Sequence, residues 1–455
     1  MPALALIVVA SLWFPVVQSR FGLSPWLWAV PAGLLIVPAL QLVPLPAAVA
    51  ALFPAHTALN ADLAAAGVDD RLHTWTLIPI ATERVLMSAV VPAALFIGTV
   101  LLRRREQRWL LMGALAFAVG SAFLGFWQLL EGPGSDLYFY PITNRGEAVG
   151  LFANRNHLAS LLAVMVPVAA GLLIDRVHYH HRNHLRDPYV WAYASATVVL
   201  AIGATATHSR AGLAMLMLSV LAAFAVPLAA GRRGSWASAQ PWLQKTGLIA
   251  VIVIVQYTLY GLLLRLDADP LDDARWTVAQ RTIAAARPYH ALGAGLGTFT
   301  SAYYQLGEVT ADLAPFVNHA HNDYLELWLE GGLPAMLLVA AALWLLGWRL
   351  WLSLQLMRER GRADAGEDTS GQLGGRHGPG RDEDLRYPGL TFGVALALVL
   401  LALHSAVDYP LRTLTLGSLC AVMAAVLATS SRRTQQRSAA AVAPASADLE
   451  PTQST

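Results

Sequence analysis

Residues 151–174 read LFANRNHLASLLAVMVPVAAGLLI: a head rich in Asn, Arg and His, then an almost unbroken apolar run. The run is long enough to cross a hydrocarbon core, which takes ~20 mainly apolar residues at 1.5 Å rise. Its head carries groups that cost free energy at a membrane edge and are functional candidates by default. Fold and function therefore meet in this one stretch, a membrane span with a polar mouth.

The same pattern extends outward. The 455-residue chain is 56% hydrophobic and only 13% charged, against about 25% charged in a soluble domain. Its mean hydropathy is +0.50. Apolar segments lie at about 2–18, 26–47, 86–102, 109–130, 151–174, 189–207, 213–229, 247–265, 333–352, 388–406 and 416–430. These predict an all-α polytopic membrane bundle of about 11–12 transmembrane helices with a large, partly helical loop at 266–332. Residues 1–150 form the N-terminal helices and first loops, and 151–430 the part that holds the candidate chemistry. Residues 355–387, Gly-rich and charged, read as a flexible loop, and 431–455 as a disordered tail. The first segment lacks a basic leader and a clean cleavage site and reads as a retained span.

Net charge is +2, but its distribution matters more. The basic runs are short and sit between spans, so nucleic acid is not an expected partner. The single cysteine, Cys420, lies in an apolar segment, allows no intrachain disulfide and reads as a small buried hydrophobe. RRREQR (103–108), DRVHYHHRNHLR (175–186), the GRRG…K loop, RERGR and SRRTQQR fall at every second boundary. Cytoplasmic loops are enriched in Lys and Arg, so these are assigned to the cytoplasm, and 131–150, HSRAG, 266–332 and DYPLRTLT to the outer side. This threading puts Met1 outside.

Four polar clusters then share the outer side: Asn154/Arg155/Asn156/His157, His208/Ser209/Arg210, the central loop, and His404/Asp408/Tyr409/Arg412. A single arginine at a span end has a bland explanation in snorkelling. Four clusters on the less basic side point to a common polar site. Arg210 and Arg275 suit a diphosphate, because guanidinium donates two parallel hydrogen bonds and keeps its charge. Arg281 and Arg287 follow Arg275 on an amphipathic segment that fits a solvated face as well as a site. GAGLGTF (293–299) lacks the dinucleotide-binding spacing and reads as a turn that brings backbone close to substrate or to a neighbouring helix. NHAHNDYLE (318–326) contains His319 and His321 without H-E-x-x-H or cysteine support, so no metal is expected; a histidine acting as general base fits better. In a helix, His321 would stack on Leu325, and Asn322 on Glu326.

Taken in order, GLFANRNHLA, HSRAG, the Arg-opened loop with GAGLGTF, NHAHNDYLELWLEGGLP and HSAVDYPLR resemble the O-antigen ligase and O-antigen polymerase superfamily; Trp75, Pro79 and Thr82 are similar to its first periplasmic loop. The resemblance implies a glycosyltransferase-C-like membrane enzyme of the bacterial inner membrane, with its active site facing the periplasm. It implies metal-independent, cofactor-free transfer of a glycan from undecaprenyl diphosphate to a hydroxyl of an acceptor glycan, lipid A core or protein. It implies Arg210, Arg275 and His321 as catalytic residues. Asn154, Asn156 and Asp408 match its recurring polar positions, with His319 as an alternative to His321; together with Arg281 and Asn322 from the loop itself they are the substrate-binding candidates. A transporter or flippase of a lipid-linked or anionic solute is the competing class; it predicts charges deep within spans and internal repeats, whereas the charges here lie at span ends.

Overall fold

The computed structural model describes residues 26–50, 54–68, 74–140, 144–179, 186–229, 259, 271–289, 291–305, 316–369 and 388–430. The segments expected to span at about 2–18 and 247–265, and the tail at 431–455, lie outside these. Within them the main helices are α1 (Trp26–Gln41), α2 (Pro54–Ala65), α3 (Pro79–Leu101), α4 (Arg104–Glu131), α5 (Arg155–Tyr179), α6 (Pro188–Ala206), α7 (Arg210–Ala229), α8 (Leu271–Ala286), α9 (Phe299–Tyr304), α10 (Asp323–Thr369), α11 (Pro388–His404) and α12 (Leu414–Thr429). No strand occurs among the described residues, and the one β-bridge pairs Pro44 with Thr74. Five helices are long and apolar enough to cross a membrane, and four shorter apolar ones (in α1, α7, α11 and α12) stand where further spans are expected. The protein is all-α and polytopic.

Sequence sets the helix boundaries locally. Pro79 and Pro188 occupy first-turn positions of α3 and α6, where a missing N–H costs nothing. The Asp187 side chain accepts the Tyr189 N–H at 3.0 Å and caps α6. The 355–387 segment departs from expectation: α10 continues to Thr369. Its Arg, Glu and Ala content has strong helix propensity and extends the preceding span; residues 370–387 lie outside the described part.

The central element is α5. Its apolar stretch is 83% buried, against 28–33% for the other four long spans. Those four leave most of their surface for lipid, while α5 is surrounded by protein. Small residues allow this. A Cβ at Gly393 of α11 would sit 2.2 Å from the Pro167 carbonyl oxygen of α5, and one at Gly171 would sit 2.4 Å from the Gly389 carbonyl oxygen. Backbones approach this closely only where side chains are absent. Gly393→Leu is therefore expected to force α5 and α11 apart, at a cost of about 1–3 kcal/mol or more; reduced recovery of monodisperse protein after detergent extraction would register it.

One end of the bundle is closed by charge. Both Asp175 oxygens accept the first N–H groups of α11, from Gly389 and Leu390, at 2.8 Å each. At the same end Arg104 and Arg349 donate to the Val426 and Ala428 carbonyls of the last turn of α12, at 3.0 and 2.9 Å, where cations oppose the negative pole of the helix.

Candidate active site at the other end of the bundle

The opposite end is assembled around Arg412. Asp323, Glu326 and Glu330 lie at i, i+3 and i+7 of α10 and so share one helical face; all three are buried. The Arg412 guanidinium lies 3.7 Å from Asp323, 3.2 Å from Glu326 and 2.7 Å from Glu330. Burial works against its charge, but the three carboxylates outweigh burial and hold its proton more tightly than usual. Each carboxylate also ties down a separate segment. Asp323 accepts the Ser405 hydroxyl at 2.8 Å. Glu326 accepts the Ala320 N–H at 2.8 Å, and its other oxygen is 2.8 Å from His319 Nδ1. Glu330 accepts the N–H groups of Gly297 and Phe299 at 3.0 Å each. One arginine thus joins the central loop to the α11–α12 connection.

The Gly-rich turn proves to be a packing device. Gly295 has φ +111°, and a Cβ there would lie 2.0 Å from Thr76 Oγ1. Trp75 donates to the Leu292 carbonyl at 3.1 Å, and Thr82 to the Leu296 carbonyl at 2.8 Å. The Trp-Pro-Thr motif therefore clamps the turn, which approaches neighbouring segments of the chain. Across the turn, Gly332 at φ +53° breaks α10; a Cβ there would meet the Gly293 nitrogen at 2.5 Å.

Tyr409 forms the centre of the second half of the site. Its ring lies 4.2 Å from that of His319, 5.0 Å from His157 and 5.1 Å from His321. Asn154 Nδ2 is 3.5 Å from its hydroxyl. Burial, and then the neighbouring Asp408, raise the Tyr409 pKa and keep the phenol neutral. His321 adopts φ 50°, a left-handed conformation that non-glycine residues hold at a cost and that clusters at functional positions. Its Nδ1 lies 3.4 Å from Asp408 Oδ1. Burial opposes ionisation of Asp408, yet its pairing with His321 and the nearby imidazoles of His404 and His157 hold its carboxyl well below the usual carboxylate range. A depressed folded-state pKa stabilises the fold from the ordinary carboxylate range upward; that contribution is lost only as the pH falls to the folded value, in strong acid.

The candidates from sequence divide as follows. His321, His319, Asn154 and Asp408 gather at Tyr409. Arg275 reaches the same turn, with a guanidinium nitrogen 3.5 Å from the Val407 carbonyl. Asn322 is there too, but its side chain is committed: the amide donates to Ala406 at 2.8 Å, and the oxygen accepts the N–H groups of Tyr324 and Leu325. That cap starts α10 at Asp323, so His321 and Asn322 precede the helix and do not stack on Leu325 and Glu326. Asn156 donates its backbone N–H to Asn154 Oδ1 at 2.8 Å, as part of the α5 cap. Arg210 opens α7 at this end, where Gly212 packs against Ala159 of α5. Arg281 lies elsewhere in the loop, over the Tyr303 ring at 5.4 Å. Beside the α5 mouth, Glu147 bridges Arg155, at 3.1 Å, and the His208 imidazole. The sequence reading gave no role to Glu326, Glu330 or Glu147, and it set Asp323 beside a histidine to fix its tautomer, whereas Asp323 faces Arg412 and Ser405. Asp323, Glu326 and Glu330 were visible in principle as D-x-x-E-x-x-x-E on one helical face.

A helical polytopic membrane fold with arginine, histidine and buried carboxylates collected at one end defines a membrane protein with an interfacial polar site. Residues 193–340, about a third of the chain, match the family model described as O-antigen ligase. That match supports the O-antigen ligase and polymerase superfamily and, in general terms, its type of function. It takes in Arg210, Arg275, His319 and His321. No curated protein matches the chain.

Proposed function

We propose that the protein is a glycosyltransferase of the bacterial inner membrane that moves a glycan from undecaprenyl diphosphate to an acceptor hydroxyl at the periplasmic face. The observation that carries this reading is the convergence of His319, His321, Asn154 and Arg275 on the 407–409 turn. This turn lies at the bundle end opposite Arg104 and Arg349. The more basic end belongs in the cytoplasm, which leaves the site facing outward.

The chemistry follows from the residue types. The acceptor oxygen attacks the anomeric carbon, the bond to the diphosphate oxygen breaks, and the electron pair leaves with the phosphate. Charge grows on that oxygen in the transition state, so fixed guanidinium donors from Arg210 and Arg275 assist the step more than they assist binding. The acceptor proton goes to His321; such a base contributes about 10²–10⁴-fold. Because arginines carry the developing charge, the reaction needs no metal: transfer in the presence of excess EDTA is expected to stay within about twofold of the untreated rate, as for any group whose removal leaves transition-state binding unchanged.

The deciding assay uses the purified protein in lipid vesicles, with a lipid-linked oligosaccharide and a hydroxyl acceptor. The expected product is the acceptor glycoside together with undecaprenyl diphosphate. Movement of intact lipid-linked oligosaccharide across the bilayer without bond cleavage would instead establish a flippase. In a deletion strain, long chains left on the carrier identify a ligase, and single repeat units a polymerase.

A further inference from the structure

Asp408 is completely buried, and its two oxygens are used unequally. Oδ1 accepts the Tyr409 backbone N–H at 2.9 Å and faces His321 Nδ1 at 3.4 Å. Oδ2 has no hydrogen-bond partner, and neither do two imidazole nitrogens around it, His157 Nε2 and His404 Nε2. These two rings and that of His321 lie within electrostatic reach of the carboxylate. His404 is itself fully buried, held through Nδ1 to the Ser160 hydroxyl at 2.8 Å. Each unpaired buried polar atom costs stability, and native folds keep few of them. Three in one cluster, beside a histidine in a strained backbone conformation, are not explained by stability.

We propose that Asp408, backed by His157 and His404, is the positioning carboxylate for His321. The inference rests on the transferase reading above. During attack the acceptor O–H bond breaks, and its electron pair forms the new bond to the anomeric carbon. The sugar–phosphate pair leaves on the diphosphate, and the proton goes to His321 Nε2. The doubly protonated ring is stabilised by the Asp408 carboxylate, which stays ionised and faces its Nδ1, with the His157 and His404 rings flanking that carboxylate. The proton returns to water or to the released diphosphate as products leave. No group beyond acceptor, donor and these side chains is consumed.

The test measures steady-state transfer by the full-length protein with a lipid-linked oligosaccharide donor. Asp408→Asn keeps the shape but cannot stabilise an imidazolium; its kcat is expected to fall by about 10²–10⁴-fold, while the donor KM stays within about twofold. His404→Gln and His157→Gln, which remove single imidazoles flanking that carboxylate, are each expected to lower kcat by about tenfold without moving KM. Wild-type kcat in Asp408→Asn would overturn the proposal, as would a loss of activity fully matched by a loss of folded protein, the mark of a purely structural role. If Asp408→Asn does not fold, the two histidine variants decide, and wild-type kcat in both overturns it. A wild-type protein that transfers no glycan fails at the transferase reading itself, which separates that failure from this one.

Discussion

Arg275→Lys and Arg210→Ala are expected to lower glycan transfer by about 10²–10³-fold each, the usual loss when one preorganised donor to developing charge is removed. The lysine variant is the more informative. It keeps the positive charge but replaces a planar fork by a single ammonium, so it cannot make two parallel bonds to a diphosphate. Arg275 sits at the 406–409 turn through one long contact to the Val407 carbonyl, so little of the fold depends on it. The protein should insert, purify and melt normally while its kcat collapses. Wild-type surface glycan in a strain that carries either variant as its only copy would remove both residues from the chemistry.

Arg412→Ala should fail differently. Its guanidinium faces three buried carboxylates at 3.7, 3.2 and 2.7 Å. Removing one partner of a buried charge cluster leaves the others uncompensated, at a cost of about 3–5 kcal/mol. Here that would release Glu330 from the Gly297–Phe299 turn and Glu326 from His319 together. The expected result is loss of folded protein or a large fall in melting temperature. Arg412→Lys should rescue little, because one ammonium cannot serve Asp323, Glu326 and Glu330 at once. A stable, inactive Arg412→Ala protein would mean that Arg412 acts directly on substrate and that the carboxylate set is incidental to folding.

The spans were legible because a hydrocarbon core demands long apolar runs, and nine of the expected segments appear as helices among the described residues. The gathering of four polar clusters at one end was legible too, since the boundary arginines alternate along the chain. What remained hidden depended on contacts remote in sequence. Asp323, Glu326 and Glu330 share one face of α10 wherever the helix starts, but that the face turns inward is set by Arg412, some eighty residues further along the chain. The Gly-rich turn could not be told from a substrate-binding loop without Thr76 and Glu330 beside it. Tyr409 stands in one of the four polar clusters, but its place between His157, His319 and His321 joins three segments far apart in the chain.

The central claim is that the arginines at this end ease a diphosphate from a sugar. It is tested most directly by counting undecaprenyl diphosphate released per glycan joined to acceptor, for the wild-type protein and for Arg275→Lys. One carrier released per glycan joined, with both dropping together in the variant, is the expected result. Carrier release that is absent in the wild type, or that Arg275→Lys leaves unchanged, would contradict it.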